Sequence, residues 1–202
     1  MTYQKLSLPF SAIVLAVLLI AGAGPVLAQG ISGAFLFNGT ISCVEVIAPA
    51  TFDSAFRPTA GPVFLSNSNT MGYRVFNADG TGSSYTLMGV NTYVPVPPGT
   101  FTAGSSDASS WEVQYQFTYT VAPGTKIITI TLKPNTYLQT IHSGPRSGQT
   151  VTQDVLDSYG YMTADGKTLS TISKGTEVET RTFSNGDVRR HVCSRSASGP
   201  RL

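Results

Sequence analysis

The residues whose types could do chemistry are few. Histidine occurs twice, as His142 and His191, and cysteine twice, as Cys43 and Cys193. His142 sits in Ile141-His142-Ser143-Gly144-Pro145-Arg146, where the adjacent serine suggests a base beside a nucleophile. Neighbouring side chains of an extended chain point to opposite faces, so this pair reads as a solvated loop. No Gly-x-Ser-x-Gly elbow is present. His191 follows Arg189 and Arg190 and reads as part of a charged, water-facing strand end. Glu177 and Glu179 share one strand face about 6.6 Å apart along it. Glycosidase acids use such spacings, but on an exposed strand these carboxylates read as solubilising. Arg181, Arg189, Arg190, Arg195 and Arg201 read as a weakly basic C-terminal stretch. Neither cysteine has a second cysteine or a histidine at metal-ligand spacing, and no phosphate loop or dinucleotide fingerprint occurs. The expectation is a protein with no recognisable catalytic motif, no metal site and no cofactor.

The remaining chemical asset is a row of rings. In Trp111-Glu112-Val113-Gln114-Tyr115-Gln116-Phe117-Thr118-Tyr119-Thr120-Val121 every odd position is apolar or aromatic and every even one polar. A period of two places all the rings on one face of a strand some 35 Å long. Strands of that length suit a barrel or a strongly coiled sheet. Rings with polar tips either fill such an interior or line a small-molecule cavity in it. Trp111, Tyr115, Phe117 and Tyr119 are the candidate lining, with Tyr85 and Tyr161 reaching in from neighbouring hairpins. Arg74 and Glu112 are the nearest candidates for a buried polar group.

The elements that must position these rings are punctuated by turns. Asn77-Ala78-Asp79-Gly80, Ala122-Pro123-Gly124, Ala164-Asp165-Gly166 and Ser184-Asn185-Gly186-Asp187 each separate two β-rich runs. Tight hairpins need positive φ, which these residues tolerate. The pattern predicts eight to ten strands in an antiparallel up-and-down meander that closes into a barrel. The stretches 48–69 and 93–110, rich in Pro, Gly and Ser, read as long loops, a length often given to lids and mouths of sites.

Composition narrows the setting. A formal net charge of +2 over 202 residues lacks the electrostatic footprint of a nucleic-acid binder. Residues 1–28, with Lys5, an apolar run and Val26-Leu27-Ala28, have the pattern of a secretory signal peptide cleaved after Ala28. Residues 29–202 then form a single domain, secreted or periplasmic, with no stable membrane insertion. An even cysteine count in an oxidising compartment predicts a Cys43–Cys193 disulfide. Closing a loop of about 150 residues, it is worth about 5 kcal/mol on the chain-entropy model. Cys43 shares its parity with Phe35 and Phe37, a core-facing side, whereas Cys193 shares its own with Arg189 and His191. The predicted bridge therefore requires a bulge, or lies outside the regular ladder.

The segment Phe76-Asn77-Ala78-Asp79-Gly80-Thr81-Gly82 resembles the hairpin of bacterial lipocalin-like domains, members of the calycin group. The hairpin order, the chain length and the paired terminal cysteines are similar too. The family's entrance motif is not: Gly33-Ala34-Phe35 and Gly39-Thr40-Ile41 lack its tryptophan. The resemblance implies an eight-stranded barrel with a small-molecule cavity. The expected function is an exported carrier of a small apolar or aromatic ligand. A barrel enzyme of the cyclase or isomerase kind and a structural or cell-surface β-domain without a ligand are the alternatives.

Overall fold

The structure is a computed structural model that describes residues 31–96, 107–175 and 177–202. Residues 1–28, read as the export signal, lie outside that range. Among the described residues there are eleven strands and no helix: β1 (Gly33–Ile47), β2 (Val63–Phe76), β3 (Thr81–Val96), β4 (Asp107–Val121), β5 (Ile127–Leu132), β6 (Leu138–Ile141), β7 (Thr150–Gln153), β8 (Ser158–Met162), β9 (Thr168–Ser173), β10 (Glu179–Phe183) and β11 (Val188–Pro200). The hairpins expected at 77–80, 122–124, 164–166 and 184–187 all form. Two expected loops are shorter than their composition suggested. Residues 63–69 belong to β2, and 93–96 and 107–110 extend β3 and β4; the centre of the second loop, 97–106, lies outside the described residues. Pairing along long neighbours recruits these weakly patterned residues into the ladder.

Strands β1 to β4 form a meander of long antiparallel neighbours. Beyond β4 the sheet divides. β5 pairs with β4 at residues 117–121, whereas β6 pairs with the same strand at 111–114. β8 and β9 continue from β5, β7 and β10 continue from β6, and both branches reach β11. β5 with β6, β7 with β8, and β9 with β10 are therefore three strand paths, each interrupted once. The interruptions, at 133–137, 154–157 and 174–178, form a transverse seam. β11 then pairs with β1 over ten residue pairs, Asn38↔Ser198 to Ile47↔Arg189, so the eight paths close into a ring. Closure removes the two free edges that an open sheet of this size would expose.

Cys43 and Cys193 are bonded as a disulfide and face each other in the β1–β11 register. No bulge separates them. The parity conflict disappears because Arg189 and His191 themselves point inward and are buried. The rings of β4 also face inward. Phe117 is 1% exposed and packs against Phe76 at 5.1 Å between centroids, and Phe76 meets Phe35 at 5.8 Å. Space for the rings comes from β3: a Cβ on Gly82 would lie 2.3 Å from the Phe117 ring, and one on Gly89 2.4 Å from the Trp111 ring. Ile128, Ile130, Met162 and Leu169 complete this apolar core. A second cluster lies on the outside, where Ala50 and Phe52 of loop 48–62 cover Val44, Val46 and Val192. Arg190 holds that loop by donating to the Pro49 and Ala50 carbonyls at 3.0 Å. This loop covers an apolar outer face.

Candidate functional site

A chamber of about 70 Å³ lies inside the ring behind the seam. Trp111 and Tyr115 of β4 form one wall, with Phe37 and Ile41 of β1 beside them. Tyr137, Leu156 and Asp157, all from the strand interruptions, form another. The polar lining includes Thr86, Thr171, Arg74, Arg181 and Arg195. The lining runs out to exposed Ile172 and Ser196, so the chamber opens sideways through the wall of β1, β9 and β11. Asp157 stands at this edge. Its carboxylate accepts from the Leu132 amide at 3.2 Å and pairs with Lys174 at 3.5 Å.

The candidate rings divide into three sets. Trp111 and Tyr115 line the chamber. Phe117 and Tyr119 belong to the packed core; the Tyr119 hydroxyl lies 2.6 Å from the Ile31 carbonyl and 2.5 Å from that of Asn77. Burial holds its pKa above the ordinary tyrosine value, with the Asp79 charge adding to the effect. Tyr85 and Tyr161 do not reach the interior. Tyr85 stacks on Tyr73 on the outer face, and Tyr161 is 55% exposed. The register decides this: Gly82, Ser84 and Thr86 stand opposite Phe117, Tyr115 and Val113 and turn inward with them, whereas Tyr85 pairs with Gln114 and stays outside. Glu112 is also outside, 3.6 Å from the exposed His142.

Next to the chamber is a charged cluster whose Glu179 and His191 the sequence suggests to be solvent-facing. Glu45, Glu179, Arg181, Arg189 and His191 are all buried within the ring. His191 is 0% exposed; its Nε2 lies 2.7 Å from Glu179 Oε2, and its Nδ1 lies 3.9 Å from Glu45 Oε2. Arg195 grips Glu179 with both terminal nitrogens, and Arg189 pairs with Glu45. Gln153 donates to Glu179 at 3.0 Å and accepts from Arg181 Nε at 3.0 Å. Burial pushes the Glu179 pKa up, but the Arg195 charge and the His191 hydrogen bond outweigh it and bring the value down to about 2. Glu45 is likewise held below the ordinary range: burial opposes this, and His191, Arg189 and Arg181 overcome it. Burial raises the Tyr137 phenol.

These locked carboxylates are ill suited to proton transfer at neutral pH. Within the cluster Glu179 holds Arg195 and Gln153 holds Arg181, and both arginines line the chamber. Glu179, His191 and Cys193 bring potential metal-ligand atoms within 4.8 Å of one another. The sulfur is committed to the disulfide and the carboxylate to Arg195, so this donor set does not suit an ion.

One signal could have revealed the cluster. Residues 189, 191, 193 and 195 share a parity, and a disulfide to the Phe35–Phe37 face of the first strand requires all of them to point inward. The usual exposure of basic residues masks this signal.

Compared with known proteins, the chain matches no family model, no curated protein and no solved structure.

Proposed function

We propose that the chain is an exported, calycin-like β-barrel that binds a small molecule in the chamber behind its seam. The observation that carries this reading is the lining itself: Trp111 and Tyr115 meet hydrogen-bonding side chains in one recess that reaches the surface. Small-molecule sites are concave and largely apolar, with a few placed polar groups. At about 70 Å³ the chamber is far below the roughly 300–1,000 Å³ of a drug-sized site. The guest is therefore a short molecule, or the end of a longer one protruding through the opening at β1, β9 and β11. The disulfide suits an oxidising compartment, and the signal-like residues 1–28 supply the route there. No helix among the described residues is long and apolar enough to cross a membrane.

A structural domain without a ligand is the second reading, favoured by the packed end around Phe35, Phe76 and Phe117. Native mass spectrometry of the purified chain lacking residues 1–28 separates the two. Binding predicts a co-purifying small mass that is lost on collisional activation. Bare protein that also takes up nothing from a library of small metabolites supports the structural reading.

A further inference from the structure

Arg74 carries a charge that no described residue of the ring balances with an ion pair. It projects inward from β2, where its Nη1 donates to the Thr171 hydroxyl at 2.8 Å and its guanidinium lies 4.9 Å from the Phe37 ring centroid. Among the described residues it has no ion-pair partner, in contrast to Arg189 and Arg195. Arg74 is half-buried, and a guanidinium partly withdrawn from water without a counter-charge carries a desolvation cost. Arg74 Nε is buried and has no hydrogen-bond partner, and the same holds for Trp111 Nε1 and Arg195 Nε. All three residues line the one chamber. Each of these groups is a donor that cannot accept. Water or a hydroxyl could meet one of them, but a cluster of donors around an uncompensated cation calls for an anionic acceptor. Phe37, Ile41 and Leu156 add apolar surface that favours an organic group over a fully hydrated inorganic ion, and the one lining carboxylate, Asp157, is already held by the Leu132 amide and Lys174.

We propose that the chamber recognises a short organic carboxylate, its charge set against Arg74 and an oxygen accepting from Trp111 Nε1, with its apolar tail towards Tyr115 and Leu156. This proposal rests on the reading that the chamber binds a small molecule, and it adds the chemical class. Arg195 completes the donor set, but its charge is already matched by Glu179, so Arg74 carries the discrimination.

The chain has a single tryptophan, so Trp111 emission reports on this chamber alone. The test titrates the chain lacking residues 1–28 with sodium butanoate and, separately, with butanamide, which has nearly the same shape without the charge. Emission and calorimetry are read together. The expected result is saturable binding of butanoate at least tenfold tighter than butanamide, and weaker binding of sodium sulfate. Arg74→Met should lose at least tenfold in butanoate affinity, while Arg74→Lys retains part of it. Near-UV circular dichroism establishes that each variant is folded; if Arg74→Met is not, the acid–amide comparison on the unaltered protein and the Arg74→Lys titration decide. Equal binding of acid and amide overturns the carboxylate proposal and leaves the small-molecule reading standing. Sulfate binding as tightly as butanoate also overturns it. If folded protein binds none of these probes, nor any member of the metabolite library, both readings fall.

Discussion

The two ends of the ring solve the same problem with different chemistry. At the end containing the 77–80 turn, Phe35, Phe76, Phe117 and Tyr119 fill the interior, with small residues of β3 making room for the rings. At the other, Glu45, Glu179, Arg189 and His191 fill it with ion pairs, and the Cys43–Cys193 bridge ties β1 to β11 beside them. The aromatic end gains from area removed from water, an effect nearly indifferent to pH. The charged end must offset the desolvation of every ion by pairing it, so its stability depends on protonation and on each partner being present. An interior that is costly to assemble, placed against a chamber, positions arginines that an apolar core could not hold.

Substitutions can break this contrast, and the largest effect belongs to the aromatic end. Phe117→Ala should cost about 3–5 kcal/mol, read as a fall in the urea midpoint of similar size at pH 7 and pH 5. Glu179→Gln should cost on the order of 3 kcal/mol at pH 7, since it leaves the part-buried Arg195 guanidinium without its counter-charge, and the Glu179 pKa, lowered from 4.5 to about 2, ties that stabilisation to the ionised carboxylate. Because the folded pKa is the lower one, that stabilisation is complete above about pH 4.5 and disappears as the pH falls towards 2. Glu45, shifted in the same direction, adds to the loss. Unfolding followed by circular dichroism from pH 6 to 2 should therefore show a steep decline in the unaltered protein and a shallower one in Glu179→Gln.

The pairing can be sharpened by a double-mutant cycle. Glu179→Gln combined with Arg195→Met should cost less than the sum of the two single changes, because the double variant no longer leaves Arg195 without its carboxylate or Glu179 without its guanidinium. Additive costs would argue against a direct pair. Gly82→Ala should destabilise by about 1–3 kcal/mol through overpacking against Phe117, visible as a lower melting temperature with binding retained. Smallest is Tyr119→Phe, which removes the hydroxyl tethered to Ile31 and Asn77 and should cost about 1 kcal/mol. Its local effect is best read by hydrogen exchange in the 77–80 turn.

Strand periodicity made much of this architecture legible. The alternation of residues 111–121 identified β4 and its buried face, and the Asn-Gly and Asp-Gly turns placed the hairpins. What local pattern could not carry was the sharing of interior volume. Tyr85 and Trp111 look equivalent as aromatic residues in alternating strands, yet the register sets Gly89 opposite Trp111 and pairs Tyr85 with outward-facing Gln114. The same limit concealed the charged cluster. Arg189 and His191 read as solvent-facing because such residues usually are, although their parity with Cys193 carried the opposite message. The three interruptions of the later strands leave only short segments with no long alternation to read, so the seam and its chamber emerge from the pairings alone.

Everything inside the ring depends on closure of the sheet, with β1 paired to β11. Cross-strand backbone NOEs in the isotope-labelled, folded chain test it most directly. Closure predicts contacts between Ile41 and Arg195, Asn38 and Ser198, and Ile47 and Arg189, extending well beyond the disulfide at Cys43. Contacts from β1 to β2 with none from β1 to β11 away from the bridge would contradict it.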